Sequence, residues 1–219
     1  MNPFDPTSLD ELPGALPVFP LADAALLPGT SLPLNIFEPR YLNMVLDAFS
    51  EDRLIGMLQP DNRFRGESPV RTFAVGCAGR ITAFNETDDG RLLINLHGVC
   101  RFRIQRELPV HHGYRRMDVD WSEFAGDLQR DSPFELSRES FKEALQAFFS
   151  AHGIRIDWPA LEKMTDRYVV DFLSTNLPFS SEEKQALLEA GDTTQRCQML
   201  LTIARMAAVP DPDSGTTRH

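Results

Sequence analysis

Three cysteines and a pair of neighbouring histidines are the side chains of this sequence best suited to nucleophilic or metal chemistry. No two of Cys77, Cys100 and Cys197 have C-x-x-C spacing, and their number is odd. This pattern is typical neither of a disulfide framework nor of a cysteine-rich metal site, so we expect three small buried residues. His97 lies close to Cys100 in the sequence, which leaves a cysteine-dependent enzyme as an alternative.

The remaining candidates for catalysis or metal binding are weaker. His111 and His112 are adjacent, and adjacent side chains on a strand point to opposite faces, which predicts exposed residues and a poor metal site. Asp118 and Asp120 could share a strand face, as many solvated carboxylates do. The sequence contains no G-x-x-x-x-G-K-[ST], H-E-x-x-H, G-x-S-x-G or G-x-G-x-x-G motif. We therefore predict a binding protein that is not an enzyme and that needs no cofactor and no metal.

Composition narrows the classes of partner. The chain has 219 residues, of which 42% are hydrophobic and 25% charged, and its formal net charge is −10. A negative field repels phosphate backbones, so nucleic-acid binding is disfavoured. No apolar run approaches the length of a membrane helix, and the first residues lack the basic start and apolar core of a secretory signal. These features predict a cytoplasmic protein without a membrane association.

The elements that would position any site change character along the chain. Short strand patterns and one helix fill the first part: strands near 16–21, 31–37, 53–58, 75–84, 91–96, 99–104 and 114–121, with a helix after Pro39. Pro28-Gly29 predicts a turn between the first two strands, and Asp88-Asp89-Gly90 predicts a hairpin turn.

Helical periodicity follows. It predicts helices over 133–151, 159–177 and 193–208, and a further helix that begins with a capping box from Ser180 to Glu183. Asp192 with Gln195 predicts a similar cap for the last helix. The sequence thus predicts an α+β protein, with a β-rich part at 1–125, a helical part at 126–208 and a disordered tail at 209–219. We expect the two parts to unfold together, because the helices need the strands as a partner surface.

Three regions carry a family resemblance. The segments 16–21 (LPVFPL), 27–29 (LPG) and 32–41 (LPLNIFEPRY) resemble the opening of the N-terminal substrate-binding domain of Lon proteases. The segments 75–81 (VGCAGRI) and 96–104 (LHGVCRFRI) are similar to the hairpin region of that family, and 177–196 to its helical end.

The resemblance implies a PUA-like β pseudo-barrel followed by a C-terminal α-helical bundle. In full-length Lon this region helps to recognise unfolded or tagged substrates, and an ATPase and a Ser-Lys peptidase follow it. The chain stops where those domains would begin, so we expect a stand-alone member that lacks both. Its expected partners are unfolded or extended polypeptide, or a protease or other partner protein. Its expected role is that of a substrate receptor, an adaptor or a chaperone-like module.

The residues predicted to bind protein lie in the family motif and in one loop. They are Phe37, Glu38, Arg40 and Tyr41 at a strand-to-helix junction, and Arg63, Phe64 and Arg65 in the loop 61–66. Two interpretations of the motif stay open: Glu38 and Arg40 hold the junction while the two aromatic residues pack in the core, or part of the motif lines a peptide-binding surface. Phe64 is either a contact residue or is tucked under its own loop.

An RNA-binding module, by analogy with other PUA-like folds, is the second function to consider. Its support is a set of arginines: Arg101, Arg103, Arg106, Arg115 and Arg116. Strand alternation predicts Arg101 and Arg103 on one face, opposite Phe102 and Ile104. The net charge opposes this interpretation. The sequence predicts neither the identity of a partner nor an oligomeric state.

Overall fold

A computed structural model describes residues 6–129 and 134–208. The predicted tail at 209–219 and the start of the chain lie outside these ranges. The strands are β1 (Ala15–Pro20), β2 (Ser31–Ile36), β3 (Leu54–Leu58), β4 (Val75–Glu86), β5 (Leu92–His111) and β6 (Tyr114–Asp120). The helices are α1 (Pro39–Ser50), α2 (Arg138–His152), α3 (Trp158–Leu161), α4 (Asp166–Asn176), α5 (Ser181–Glu189) and α6 (Thr193–Ala207).

Five of the strands close into a barrel. The order is β2-β5-β4-β3-β1-β6, and β5 also pairs with β6, so that β1, β3, β4, β5 and β6 form a ring. Strand β2 pairs with the first part of β5 and lies at the edge of the sheet. Only the β1–β3 pair is parallel among the described strands, and its crossover contains β2 and α1. This arrangement is the predicted pseudo-barrel.

Strand β5 joins two predicted strands into one of 20 residues. Its first part pairs with β2 and the end of β4, and its last part pairs with β6. Register shifts interrupt the ladders, which lets so long a strand bend around the barrel. Phe102 fills the barrel interior beside two glycines, because a Cβ on Gly56 or Gly76 would come within 2.9 or 2.7 Å of its ring.

Helix α1 begins as the sequence predicts. Pro39 occupies its first turn, and Tyr41, Met44, Val45 and Ala48 form the buried stripe. Residues at this spacing share one helix face, which packs on the barrel core. The helix therefore fixes the direction in which the chain leaves β2.

Helices α2 to α6 surround a second apolar core. Phe141, Leu145 and Phe148 of α2 share this core with Leu173 of α4 and Leu200 of α6. Leu188 of α5 belongs instead to the barrel core. The two cores therefore touch through α5, and the described residues form a barrel body and a helical body with one shared helix.

Two predicted helices differ from the structure. The helix predicted over 159–177 is two helices, α3 and α4, because the Thr165 side chain caps a new start by accepting from the Tyr168 amide. Arg138 satisfies the carbonyls that the break exposes, those of Leu161 and Met164. The helix predicted from 133 begins at Arg138, and the amide of Leu136 donates instead to Asp166.

Candidate functional site

Phe37 is the exposed member of the predicted motif. It follows β2, and its side chain is 60% exposed. Asn35 lies opposite Leu93 of β5, so Phe37 and Arg91 are the next pair on the same face. The guanidinium carbon of Arg91 is 5.8 Å from the Phe37 ring centroid, as this pairing requires. Phe37 is therefore a surface residue and not part of the core.

The other motif residues hold the strand-to-helix junction. Glu38 precedes α1, and its carboxylate accepts from Arg40 at 2.7 Å. Tyr41 is buried against Phe19, with ring centroids 4.3 Å apart, and burial raises the pKa of its hydroxyl. Glu38, Arg40 and Tyr41 thus build the junction, as the first interpretation states. Phe37 faces solvent, and the peptide-binding surface stays a prediction.

The surface around Phe37 is a strip of the outer sheet face, which we call the Phe37 face. Its members are exposed and lie on β2, on β5 or directly beside them: Pro33, Asn35, Phe37, Arg91 and Leu93. Leu93 is 42% exposed, so two large apolar side chains meet solvent here. The Phe37 face includes the edge strand β2, which pairs with β5 on one side only. The backbone groups on its other side point away from the sheet.

The loop 61–66 is fixed to its surroundings. The buried Asp61 carboxylate accepts from the backbone amide and the guanidinium of Arg63, and the Asn62 amide donates to Glu182 of α5. Phe64 is half-buried beside Arg71, whose guanidinium carbon is 4.3 Å from the ring centroid. Phe64 is thus packed within its loop region. It is less buried than a core residue and less exposed than a free surface residue.

The structure does not bring the motif and the loop together. Phe37 follows Ile36, which pairs with Leu92 beside the end of β4 at Glu86. The loop follows β3, near the start of β4. Within the described ranges, no hydrogen bond or ion pair joins 37–41 to 61–66. They are two separate surfaces.

Sequence analysis missed a cavity between the barrel and the helical body. Its volume is about 430 Å³, and its wall includes two buried ion pairs, Arg101–Asp127 and Arg196–Asp171, at 2.8 and 2.7 Å. Burial raises the pKa of Asp171 in spite of Arg196, and burial lowers the pKa of Arg196. Partners that are distant in sequence leave no local signal, so no pattern could have revealed them.

Arg101 itself lies at the seam between the bodies. Its side chain is 3% exposed, and it donates to Asp127 and to the carbonyls of Leu188 and Ala190. Arg101 lies on the strand face opposite Phe102, as alternation predicts, but this face is covered here: Phe102 faces the barrel core and Arg101 faces α5.

Most of the arginines considered for RNA binding form ion pairs with carboxylates. Arg103 pairs with Glu123 and Arg106 with Asp118, at 2.6 and 2.9 Å. The Glu107 carboxylate accepts from Arg115, which lowers the pKa of Glu107. Paired guanidinium groups have little charge left to neutralise phosphates.

The cysteines lie in the apolar interior. Cys77, Cys100 and Cys197 are free thiols and all three are buried. Burial raises the pKa of Cys77 and of Cys197, which keeps these thiols protonated at neutral pH. These surroundings disfavour a cysteine nucleophile.

The two histidines, in contrast, converge. His111 ends β5 and His112 adopts a φ of 44° in the turn before β6. This left-handed residue rotates the second ring onto the first, with ring centroids 3.9 Å apart. Both rings face Asp47 of α1, at 3.7 Å for His111 and 2.7 Å for His112. The expectation that they point to opposite faces is wrong, because the strand ends between them.

Sequence comparison decides the family. Residues 15–205 match the profile of the ATP-dependent protease La (LON) substrate-binding domain. The chain belongs to this family. Relatives include the Lon protease of Cytophaga hutchinsonii, 25% identical over 205 residues, which cover 89% of this chain and 24% of that protein. The Lon protease of Flavobacterium johnsoniae is 28% identical over 193 residues, with 85% and 23% covered. The chain thus spans about a quarter of the length of these relatives.

Solved structures of Lon N-terminal domains share the fold. The Lon N-terminal domain protein from Xanthomonas campestris is 29% identical, with a TM-score of 0.61 over 86% of this chain and 97% of that chain. The N-terminal domain of the Mycobacterium avium complex Lon protease is 17% identical and has a TM-score of 0.59 over 87% and 98%. These matches confirm the predicted family and fold class. Among the residues described, no helix combines the length and apolar composition needed to cross a membrane.

Proposed function

We propose that this Lon substrate-binding domain is a non-catalytic module that binds extended or unfolded polypeptide on the Phe37 face. The observation that carries the proposal is the exposure of Phe37 within a family motif whose other members build the junction beneath it. An aromatic side chain left in solvent beside an apolar neighbour is typical of an interaction site, because it buries much area with few rotors to freeze.

The edge strand β2 supports an extended ligand in particular. A polypeptide that lies along an exposed sheet edge can hydrogen-bond to its backbone, while its side chains contact the sheet face. Phe37 and Leu93 would then take apolar side chains of the ligand. Because affinity would come from the backbone and from apolar contacts, such a module accepts many sequences.

The loop 61–66 remains a proposed second contact surface. Arg65 and part of Phe64 are accessible, whereas the charge of Arg63 is balanced by Asp61. We therefore expect the loop to contribute less than the Phe37 face.

Matched alanine variants test the proposal. The binding of fluorescently labelled unfolded casein is measured by anisotropy for the wild type, Phe37→Ala, Phe64→Ala and Val110→Ala. Val110 is the control, because it is 62% exposed and lies near the far end of β5. We expect Phe37→Ala to weaken binding about tenfold, which is about 1.4 kcal/mol, with little change in melting temperature. Equal affinities for Phe37→Ala and Val110→Ala would refute the proposed surface.

The absence of catalysis is tested separately. The purified protein is incubated with casein and ATP, and released peptides and phosphate are measured. We expect neither, because the cysteines are buried and no phosphate-binding motif is present. Activity that co-purifies with the protein and is lost in a point variant would contradict this.

A further inference from the structure

We propose that Asp47, His111 and His112 form a binding site for a divalent transition-metal ion between α1 and the β5–β6 hairpin. Each residue offers one ligand atom, and these three atoms all lie within 4.8 Å of one another. Nothing in the proposed polypeptide-binding function uses these residues.

The distances are close to those of a bound ion. Imidazole nitrogens and carboxylate oxygens lie about 2.0–2.2 Å from zinc, which places tetrahedral ligand atoms about 3.4 Å apart. The Asp47 carboxylate is 2.7 Å from His112 Nδ1 and 3.7 Å from His111 Nε2. These two values lie on either side of the required separation, and the two histidine nitrogens lie within 4.8 Å of each other, so an ion would draw the three side chains together. It would replace the hydrogen bond between His112 Nδ1 and Asp47, and the proton of the neutral imidazole would then lie on Nε2.

Neighbouring groups hold the ligands in place. The Tyr114 hydroxyl donates to the Asp47 carboxylate at 2.9 Å, and the Asn43 side-chain amide donates to the His112 carbonyl at 3.1 Å. The left-handed conformation of His112 sets the direction of its ring. Bonds of this kind orient metal ligands and strengthen binding.

The ligand types select the class of ion. Two imidazoles and one carboxylate suit Zn²⁺, Ni²⁺, Co²⁺ and Cu²⁺, whereas Mg²⁺ and Ca²⁺ prefer sites made of oxygen alone. The His111 and His112 side chains are 47% and 57% exposed, so the remaining coordination positions are open to water or to another ligand. The net charge of −10 further attracts cations.

Titration of the untagged full chain with Zn²⁺ tests the site. Calorimetry should give one ion per chain at micromolar affinity, and Zn²⁺ should raise the melting temperature because it links α1 to the hairpin. Mg²⁺ should do neither. His111→Ala, His112→Ala and Asp47→Asn should each weaken Zn²⁺ binding about tenfold or more. Asp47→Asn can keep its hydrogen bond with Tyr114, so its effect separates lost coordination from lost packing.

His152→Ala is the matched control, because His152 lies in α2, far from the cluster in sequence, and bonds to the Phe148 carbonyl. It should bind Zn²⁺ like the wild type. Co²⁺ substitution adds a spectroscopic readout: visible absorption of four-coordinate Co²⁺ should appear in the wild type and disappear in His112→Ala. No Zn²⁺ binding by the wild type, or equal binding by the double variant His111→Ala/His112→Ala, would overturn the proposal. Both results are independent of casein binding.

Discussion

Arg101 lies where the barrel meets the helical body, and its guanidinium satisfies groups from both. Asp127 follows the barrel strands, and Leu188 and Ala190 lie at the end of α5. Removing one partner of such a pair leaves an uncompensated buried charge and unsatisfied carbonyls. The intact pair itself adds little to the free energy of unfolding, because desolvation of the charges offsets their attraction. Arg101 therefore determines how the two bodies are joined.

We predict that Arg101→Met lowers the free energy of unfolding by about 3–5 kcal/mol, because the Asp127 carboxylate stays buried without its partner. Urea denaturation measures the effect. Arg106→Met is the control, since the exposed Arg106–Asp118 pair should contribute less than about 1 kcal/mol. Similar losses in the two variants would show that Arg101 is not a structural link.

Site residues could be predicted only where the local pattern carried the information. The motif pointed to Phe37 and Tyr41, but alternation along the chain cannot show which of them lies inside. The histidine cluster was missed because it depends on one left-handed residue, His112, and on Asp47 from a distant helix. Contacts of this kind arise from the tertiary fold and leave no trace in sequence spacing.

Secondary-structure elements were predicted better, because caps and periodicity are local. The capping box of α5 is present: the Ser180 hydroxyl accepts from the Glu183 amide, and the Glu183 carboxylate accepts from the Ser180 amide. The break between α3 and α4 was missed, although Thr165 is a good N-cap residue. The apolar periodicity runs through the break and hides it.

We predict that Ser180→Ala costs about 1 kcal/mol of stability, because the first turn of α5 loses its cap. Ser137→Ala is a matched control: Ser137 precedes α2 but its side chain makes no capping bond, so the change should stay within about 0.5 kcal/mol. Urea midpoints of the two variants provide the comparison. Equal midpoints would mean that the α5 cap contributes nothing.

At the scale of the whole molecule, the division into a barrel part and a helical part remains a prediction about behaviour. Helix α5 contributes Leu188 to the barrel core, and its Lys184 and Gln185 bond to Asp23 and Val75 of the barrel body. These contacts favour joint unfolding of the two bodies.

We predict a single melting transition. The two tryptophans are suited to test it, because Trp121 lies in the barrel core and Trp158 packs against the helical core. In Trp158→Phe the fluorescence reports on the barrel, and in Trp121→Phe it reports on the helical body. In each variant, the melting temperature from fluorescence should equal the one from circular dichroism. Two well-separated transitions, or a stable isolated fragment 1–125, would contradict joint unfolding.

Acid should destabilise the protein. Arg115 lowers the pKa of Glu107 from its ordinary value of 4.5, and Arg63 lowers that of Asp61 from 3.8. A carboxyl whose pKa is lower in the folded state than in the unfolded state stabilises the fold at pH values above the unfolded-state pKa. This contribution is lost as the pH falls through the folded-state pKa. We therefore expect the urea concentration at the unfolding midpoint to decrease when the pH is lowered below about 4.5. Glu107→Gln should reduce this pH dependence, and an unchanged profile would exclude Glu107 as a contributor.

The position of β1 in the barrel has a consequence for how the protein is made. Strand β1 is synthesised before the other five described strands, yet it lies between β3 and β6, with Ala15 opposite Asp118. Contacts so distant in sequence form slowly, and the barrel cannot close until β6 has been synthesised. The nascent chain therefore carries an apolar strand without its full set of partners until β6 has been synthesised. A module proposed to bind unfolded polypeptide thus itself exposes an unpaired strand while its barrel is being made.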